Sequence, residues 1–436
     1  MIRKPVIQVV CCDLGGQVRG KGFPESELPK RRARGVGWVP TNSMITCFNS
    51  IADGPFGSTG DLILVPDEST EVQVDWQDGA PLDHFFLGNL QQLNGKPWSF
   101  CPRYQLQRAL DQLAAEAGLV LRCAFEHELW YSAADDPAWS GFGLGSFRRN
   151  AVFAEALVAA LEQSGIESDT VIAEYGNGQL EFTVAPTLGL RAADECIMVR
   201  ELARSLALRM GQRVSFSPVV NPGVGNGLHL HFSLELEDGT PATYALGNEL
   251  DLTPHAGQFI AGVQKYLPDI VALTAPSVVS YERLQPHRWS AAFNNIATQD
   301  REAALRICPM LDLPGYQPES QYHAEFRASD ATANAWLQLA AIVFAGVQGI
   351  RDKLPVPKAT KGDLSLMSTV ELAELGVQRL PISLEESLQR LDAQPRIREW
   401  FGDEFIDVYL THKRGEIAFL EGRDADEVRR LYAAVY

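Results

Sequence analysis

The sequence of 436 residues predicts an α+β protein: a small sheet-based domain over residues 1–98, then a larger mixed domain over residues 99–436. Three observations carry that prediction. Up to about residue 98, strand-like runs and turns dominate, with little helical periodicity. From about Pro102, amphipathic helical stretches alternate with strand-like ones. Within the second part, short strand-like segments repeatedly place carboxylates and imidazoles two residues apart.

In the first part Val6–Cys12 and residues 43–49, 61–65 and 71–76 read as strands, from their β-branched and aromatic content. Gly15-Gly16 and Asp53-Gly54-Pro55 mark turns, and Leu93-Asn94-Gly95-Lys96-Pro97 marks the boundary. Residues 103–117 carry apolar side chains at helical spacing, and Gly118 is placed to end that helix. A strand over 119–130, a helix over 149–163 and a hairpin over 170–184 follow. The spacing then predicts a helix over 192–210 stopped by Gly211, a strictly alternating strand over 228–236, an apolar helix over 333–350 and a charged helical tail over 384–436. No internal repeat or low-complexity segment interrupts the pattern.

The paired residues are Glu126-His127-Glu128, Glu174 with Gln179-Leu180-Glu181, His229-Leu230-His231 and Glu325-Phe326-Arg327, with Arg301 and Arg306 ahead of the last. Residues i and i+2 on a strand point to one face. Carboxylates buried side by side repel unless cations neutralise them. The pattern therefore points to metal-dependent phosphate or acyl chemistry. His127 falls on the opposite face from its neighbours and reads as structural.

Composition narrows the class. Hydrophobic residues make up 46% and charged ones 21%, an ordinary balance for a soluble globular protein. A formal net charge of −17 argues against nucleic acid, whose phosphates call for clustered Lys and Arg, and mildly favours a cationic substrate. The seven cysteines are odd in number and form no CxxC, the usage of a reducing compartment. No apolar run approaches the ~20 residues of a membrane span. The N-terminus shows no cleavage-site pattern. A cytoplasmic protein without a membrane partner is the expectation.

Taken in order, Phe125-Glu126-His127-Glu128-Leu129, Glu174 with Gly178-Gln179-Leu180-Glu181, the stretch from Gly225 to Leu234, Tyr281-Glu282-Arg283-Leu284 and Ala324-Glu325-Phe326-Arg327 resemble the glutamine synthetase family. The run from Asp53 to Asp61, followed by Val65-Pro66-Asp67, resembles that family's N-terminal active-site loop. Any one segment is weak evidence; their order and spacing over nearly the whole chain are specific.

The resemblance implies a β-grasp-like N-terminal domain and a catalytic domain built on a curved antiparallel sheet. It implies an ATP-dependent ligase that phosphorylates the γ-carboxylate of glutamate, then joins it to an amine. Mg²⁺ or Mn²⁺ is the implied cofactor, two or more per site, which mostly oxygen donors suit. By position, Glu128, Glu174 and Glu181 are expected to hold the metal nearest glutamate, and Glu126, His229 and Glu325 the metal at the ATP phosphates. His231, Ser233 and Arg306 match nucleotide positions. Gly225, Arg283 and Arg327 match glutamate positions. Arg301 and Arg306 match the pair that neutralises phosphate in transfer, and Asp53 the catalytic loop that meets the next subunit's metal site. A homo-oligomeric ring with shared sites, commonly two stacked hexamers, is the implied assembly.

Three departures bear on the amine. Ammonia-using members usually carry a flap glutamate after the Tyr-x-Arg-Leu motif; here Trp289 stands at about that position. The stretch Ser217-Pro218-Val219-Val220-Asn221-Pro222-Gly223 lacks the family's frequent lysine. The region after Pro355 lacks the tyrosine-bearing loop that some bacterial enzymes adenylylate. The expected product is a γ-glutamyl amide of an amine other than ammonia, with Trp289 as a substrate-facing wall. Glutamine synthetase proper, a phosphotransferase on the same scaffold and a catalytically idle assembly relative are the alternatives.

Overall fold

In the computed structural model, which describes residues 2–134, 136–221 and 225–436, the chain forms two sheets. The first has six strands. Val6–Cys12 and Asp83–Gln92 run parallel at its centre, and Val18–Pro24, Leu62–Pro66 and Val36–Trp38 extend it. Leu62 and Leu64 are buried while Ile63 and Val65 are half-exposed, the alternation of a one-face-buried strand.

Residues 43–49 do not form the expected strand. A 3-10 turn occupies Pro40–Met44, and the chain then reverses, Thr46 N–H donating to the Ser50 carbonyl at 2.8 Å. Asn49 makes the reversal possible with φ 59°, a conformation asparagine tolerates better than most residues. Three strands of this sheet, Val18–Pro24, Val36–Trp38 and Asp83–Gln92, escaped the sequence pattern, the first and last for identifiable reasons. Val18–Pro24 is a mostly exposed edge carrying two glycines and a lysine. Asp83–Gln92 is polar at both ends, so its alternation is short.

The second sheet has nine strands. Leu119–Tyr131, 13 residues long, is flanked by Leu230–Leu236 and Gln179–Val184. Ala324–Phe326, Leu305–Ile307 and Ile296–Thr298 continue it on one side and Ser168–Ala173 on the other. Every pairing in it is antiparallel except that between Ile296–Thr298 and Leu305–Ile307, so the expected antiparallel sheet has one parallel edge pair. Helices cover one face. Pro102–Ala117 opens with proline at a position whose N–H needs no partner and ends at Gly118 in the left-handed region, as its sequence predicts. Gly189–Arg209 lies beneath the long strand, where His127 is buried and its pKa is pushed down to about 4, chiefly by loss of solvent.

Pro254–Thr274 and Ala335–Arg351 cross at Gly262 and Gly349. A Cβ on Gly262 would fall 2.1 Å from the Ala345 carbonyl oxygen, so only glycine permits this approach. Buried polar groups tie the first sheet's domain to the helices that back the second sheet. Arg103 donates to both carboxylate oxygens of Asp194 (2.9 and 2.8 Å) and sits 2.9 Å from Asp67. Asn334 donates to the carbonyls of Cys12 and Asp13 at 3.0 and 2.9 Å. The seven cysteines are buried and unbridged, and no helix among the described residues is long and apolar enough to cross a membrane.

Candidate active site

Strand register turns the two-residue spacing into a single charged surface. Glu126 and Glu128 share the face of the long strand that the helices leave open. Glu181 lies directly across from Glu128 on the neighbouring strand. On the other side His231 lies across from Glu325, which lies across from Arg306. Glu174 follows the strand Ser168–Ala173 and His229 precedes Leu230–Leu236, so both reach the same face. Glu126, Glu128, Glu174, Glu181 and His229 line a cavity of about 710 Å³, joined by Gly225, Arg283 and Arg327.

Like charges set directly opposite on a sheet repel, and the carboxyl groups record it. Glu181 has its pKa pushed up to about 9 by burial and by the fields of Glu126, Glu128 and Glu174. Glu174 is raised by burial and by Glu128 and Glu126. Glu325 behaves oppositely. Burial alone would raise it, yet His229, Arg327 and His231 outweigh that and hold it at about 2. Glu126 is likewise driven below the usual carboxylate range, its burial overcome by His229 and His231. The face thus divides into a charge-starved end at Glu181 and Glu174 and a compensated end at Glu126 and Glu325.

Buried donors fix the side chains. The Gln179 amide donates to Glu128, to the Gly225 carbonyl and to Asn226 Oδ1, each at 3.0 Å. The Gly227 N–H donates to Glu128 at 2.7 Å. Arg283 lies 2.9 Å from His229 Nε2, and His229 Nδ1 lies 3.1 Å from Glu126. Arg327 bonds Glu325 and donates to the Trp289 carbonyl at 2.9 Å. Gly225 packs where a Cβ would meet the Arg283 side chain at 2.8 Å. Pro222 and Gly223, part of the stretch that lacks the family's lysine, lie outside the described residues.

A second cavity, of about 670 Å³, opens on the far side of this cluster and is lined by His231, Ser233 and Arg306. Glu126, Glu181 and Arg301 line both cavities, so the two meet at a shared wall. Arg306 binds Glu325 at 2.8 Å. Arg301, exposed on its turn, is positioned to face either cavity.

Trp289 is 65% exposed at the mouth of the first cavity, with Phe142 and Tyr175 also exposed along its lining. His287 and Trp289 both adopt left-handed backbone (φ 61° and 51°), uncommon for residues of this size. Glu302 holds them there, its carboxylate accepting the N–H of His287 at 2.9 Å and of Trp289 at 2.6 Å. The sequence reading missed Phe142, Tyr175 and Glu302, and named Gln179 only as part of a motif, without a role. Tyr175 follows Glu174 directly and Gln179 precedes Glu181 by two, which signals their place. Glu302 gives no such signal, because its partners are backbone groups. Asp53 is exposed and lines neither cavity of its own chain.

Five carboxylates with one imidazole fit a hard divalent cation, and the raised Glu181 and Glu174 show repulsion that such a cation would relieve. Comparison with known proteins supplies the frame for that chemistry. Residues 3–98 match the glutamine synthetase N-terminal domain and residues 99–432 the glutamine synthetase catalytic domain. A gamma-glutamylpolyamine synthetase of Streptomyces coelicolor is 34% identical over 97% of this chain and 92% of its own length. Type-1 glutamine synthetase 1 of Dictyostelium discoideum is 29% identical over 85% of this chain and 77% of its own. A solved glutamine synthase homolog superposes with TM-score 0.91 at 37% identity, covering 100% of this chain and 99% of that one. The chain belongs to the glutamine synthetase family and is an ATP-dependent γ-glutamyl ligase.

Proposed function

We propose that the chain joins L-glutamate to an organic amine that is cationic at neutral pH, in preference to ammonia. The observation that carries this is the mouth of the first cavity, where exposed Phe142, Tyr175 and Trp289 surround the approach to Glu174. Aromatic faces beside carboxylates attract an alkylammonium both by cation–π contact and by charge. The likeness to a gamma-glutamylpolyamine synthetase agrees.

In this reading Arg283 and Arg327 hold the glutamate carboxylates beside Gly225, while His231, Ser233 and Arg306 take ATP in the second cavity. Glu128, Glu174 and Glu181 would hold one Mg²⁺ or Mn²⁺ and Glu126, His229 and Glu325 another; when bound, these ions offset the negative charge of the phosphates and acyl oxygen. The γ-carboxylate oxygen attacks the γ-phosphorus across the shared wall and ADP leaves. Arg301 and Arg306 face the charge that builds on the phosphoryl oxygens. The amine nitrogen, having lost a proton, then attacks the acyl carbon of γ-glutamyl phosphate and phosphate departs. The reading includes a division at residues 98 and 99 and a cytoplasmic location.

ADP release from ATP, Mg²⁺ or Mn²⁺ and glutamate, measured with ammonium, putrescine, spermidine, ethanolamine and small alkyl and aryl amines, tests the proposal. Strong stimulation by an organic amine over ammonium is expected. Stimulation by ammonium alone would make the chain a glutamine synthetase proper.

Two further expectations rest on the same reading. Glu302→Ala frees the two N–H groups that pin the Trp289 turn. KM for the amine should rise about tenfold, equivalent to about 1.4 kcal/mol, while KM for ATP stays unchanged; an unchanged amine KM would remove Glu302 from the account. We also propose a homo-oligomeric ring in which Asp53 completes the neighbouring subunit's site. Subunits carrying Asp53→Ala, mixed with subunits carrying Glu325→Ala, should then recover part of the activity that neither shows alone. Mixed rings with no recovery would count against sharing.

A further inference from the structure

Three strands end at one point beside the carboxylate cluster. Cys308 follows Leu305–Ile307, His323 precedes Ala324–Phe326, and His231 lies on Leu230–Leu236. The Cys308 N–H donates to the His323 carbonyl at 3.2 Å, so their side chains are held as cross-strand neighbours. His323 Nε2 lies 3.0 Å from His231 Nδ1, and Cys308 Sγ lies 3.8 Å from the same nitrogen. All three donor atoms fall within 4.8 Å of one another. A tetrahedral ion bound by nitrogen and sulfur needs donors roughly 3.3–3.8 Å apart.

The outward-facing nitrogens strengthen the geometry. His323 Nδ1 lies 2.6 Å from the Gln321 carbonyl oxygen, which can only accept. That nitrogen therefore carries the proton, and Nε2 presents a lone pair. His231 Nε2 lies 2.9 Å from a Glu126 oxygen, so its other nitrogen, Nδ1, is the one turned towards His323 and Cys308. The two imidazole nitrogens thus lie within hydrogen-bond distance, with the thiol beside them, and an ion bound between them would displace the proton they share. A backbone carbonyl behind one histidine and a carboxylate behind the other is the usual second layer around metal-bound imidazoles.

We propose that His231, Cys308 and His323 form a metal site of nitrogen–sulfur character, separate from the oxygen-rich cluster, that takes a borderline-soft divalent ion such as Zn²⁺ with its fourth position open to the second cavity. Thiolate and imidazole together favour such ions, whereas Mg²⁺ prefers mostly oxygen donors, so the two neighbouring sites select different metals. His231 and His323 both line the second cavity, so the ion occupies its wall.

Cobalt(II) is the probe. The full-length protein, folded and kept in saturating Mg²⁺ so that its oxygen-rich positions are filled, is titrated with Co²⁺. The expected result is one Co²⁺ per chain with a thiolate-to-cobalt charge-transfer band, and intense tetrahedral ligand-field bands, that Zn²⁺ displaces. Cys308→Ser should abolish the charge-transfer band. His323→Gln, a second variant that keeps the polarity and most of the volume, should weaken Co²⁺ binding at least about tenfold. No charge-transfer band in the native protein, or an undiminished band in folded Cys308→Ser, overturns the site.

A consequence follows if the second cavity takes ATP, as the reading above has it. Zn²⁺ should then raise the apparent KM for ATP several-fold in the native protein and not in Cys308→Ser. A cobalt band without that competition upholds the metal site and counts against the nucleotide placement, so the two failures are distinguishable.

Discussion

Replacing Glu325 with alanine is expected to reduce glutamate-dependent ADP release by roughly 10²–10³-fold or more, the scale seen when a preorganised charge is removed from a reacting centre. Its surroundings explain why. Glu325 is 1% exposed, and bonds Arg306 and Arg327, themselves buried, with His229 Nδ1 at 3.6 Å. Removing the carboxylate leaves two guanidinium groups buried without that partner, which costs about 3–5 kcal/mol when a buried pair is broken. The thermal midpoint should therefore fall as well. Glu325→Gln separates the two effects. Its amide oxygen still accepts from one arginine, so much of the stability should return while ADP release does not. Full activity in Glu325→Gln would show that the negative charge at this position is not needed for the reaction.

The second large effect is in pH. The Glu181 carboxyl titrates near 9 in the folded chain against 4.5 for a free side chain. A raised carboxyl means that the folded state holds a proton that the unfolded state has already released. Stability is therefore undiminished below about pH 4.5 and declines as pH rises towards 9, by an amount on the order of a few kcal/mol. Glu325 gives the opposite limb: held at about 2, it contributes stability above pH 4.5 that is lost as pH falls towards 2. Protein stripped of metal by EDTA should show a thermal midpoint falling between about pH 5 and 9. Saturating Mg²⁺ should flatten that fall, because a cation replaces the proton. Glu181→Gln should flatten it without metal. An equally steep decline in Glu181→Gln would assign the effect to other groups.

Much of this site was legible in the sequence because β-structure writes its geometry in period two. The alternation around residues 125–129 and 228–236, and the pairing of Glu174 with Glu181 across a hairpin, locate the metal-type residues before any coordinates. Helix ends were legible where glycine marks them, as at Gly118 and Gly211. What stayed hidden depends on contacts that residue type does not announce. Glu302 acts on backbone N–H groups 13 and 15 residues away, so any acceptor of the right length would look the same in sequence. Cys308 and His323 meet His231 only through the register of three short strands. Residues 43–49 have strand-like composition, and the reversal at Asn49 overrides it. Asp53 is the plainest limit, since its expected partner belongs to another copy of the chain.

The long strand also constrains how this protein can change. Along Leu119–Tyr131 every odd-numbered side chain is buried, while Glu126 and Glu128 are even. Catalytic identity is therefore a matter of parity. Inserting one residue early in the strand sends both glutamates into the helical layer and brings Phe125 and Leu129 out to the charged face; inserting two restores the arrangement. Lineages descended from such an ancestor can exchange side chains freely at the cavity mouth, but within its central strands they can alter length only in steps of two.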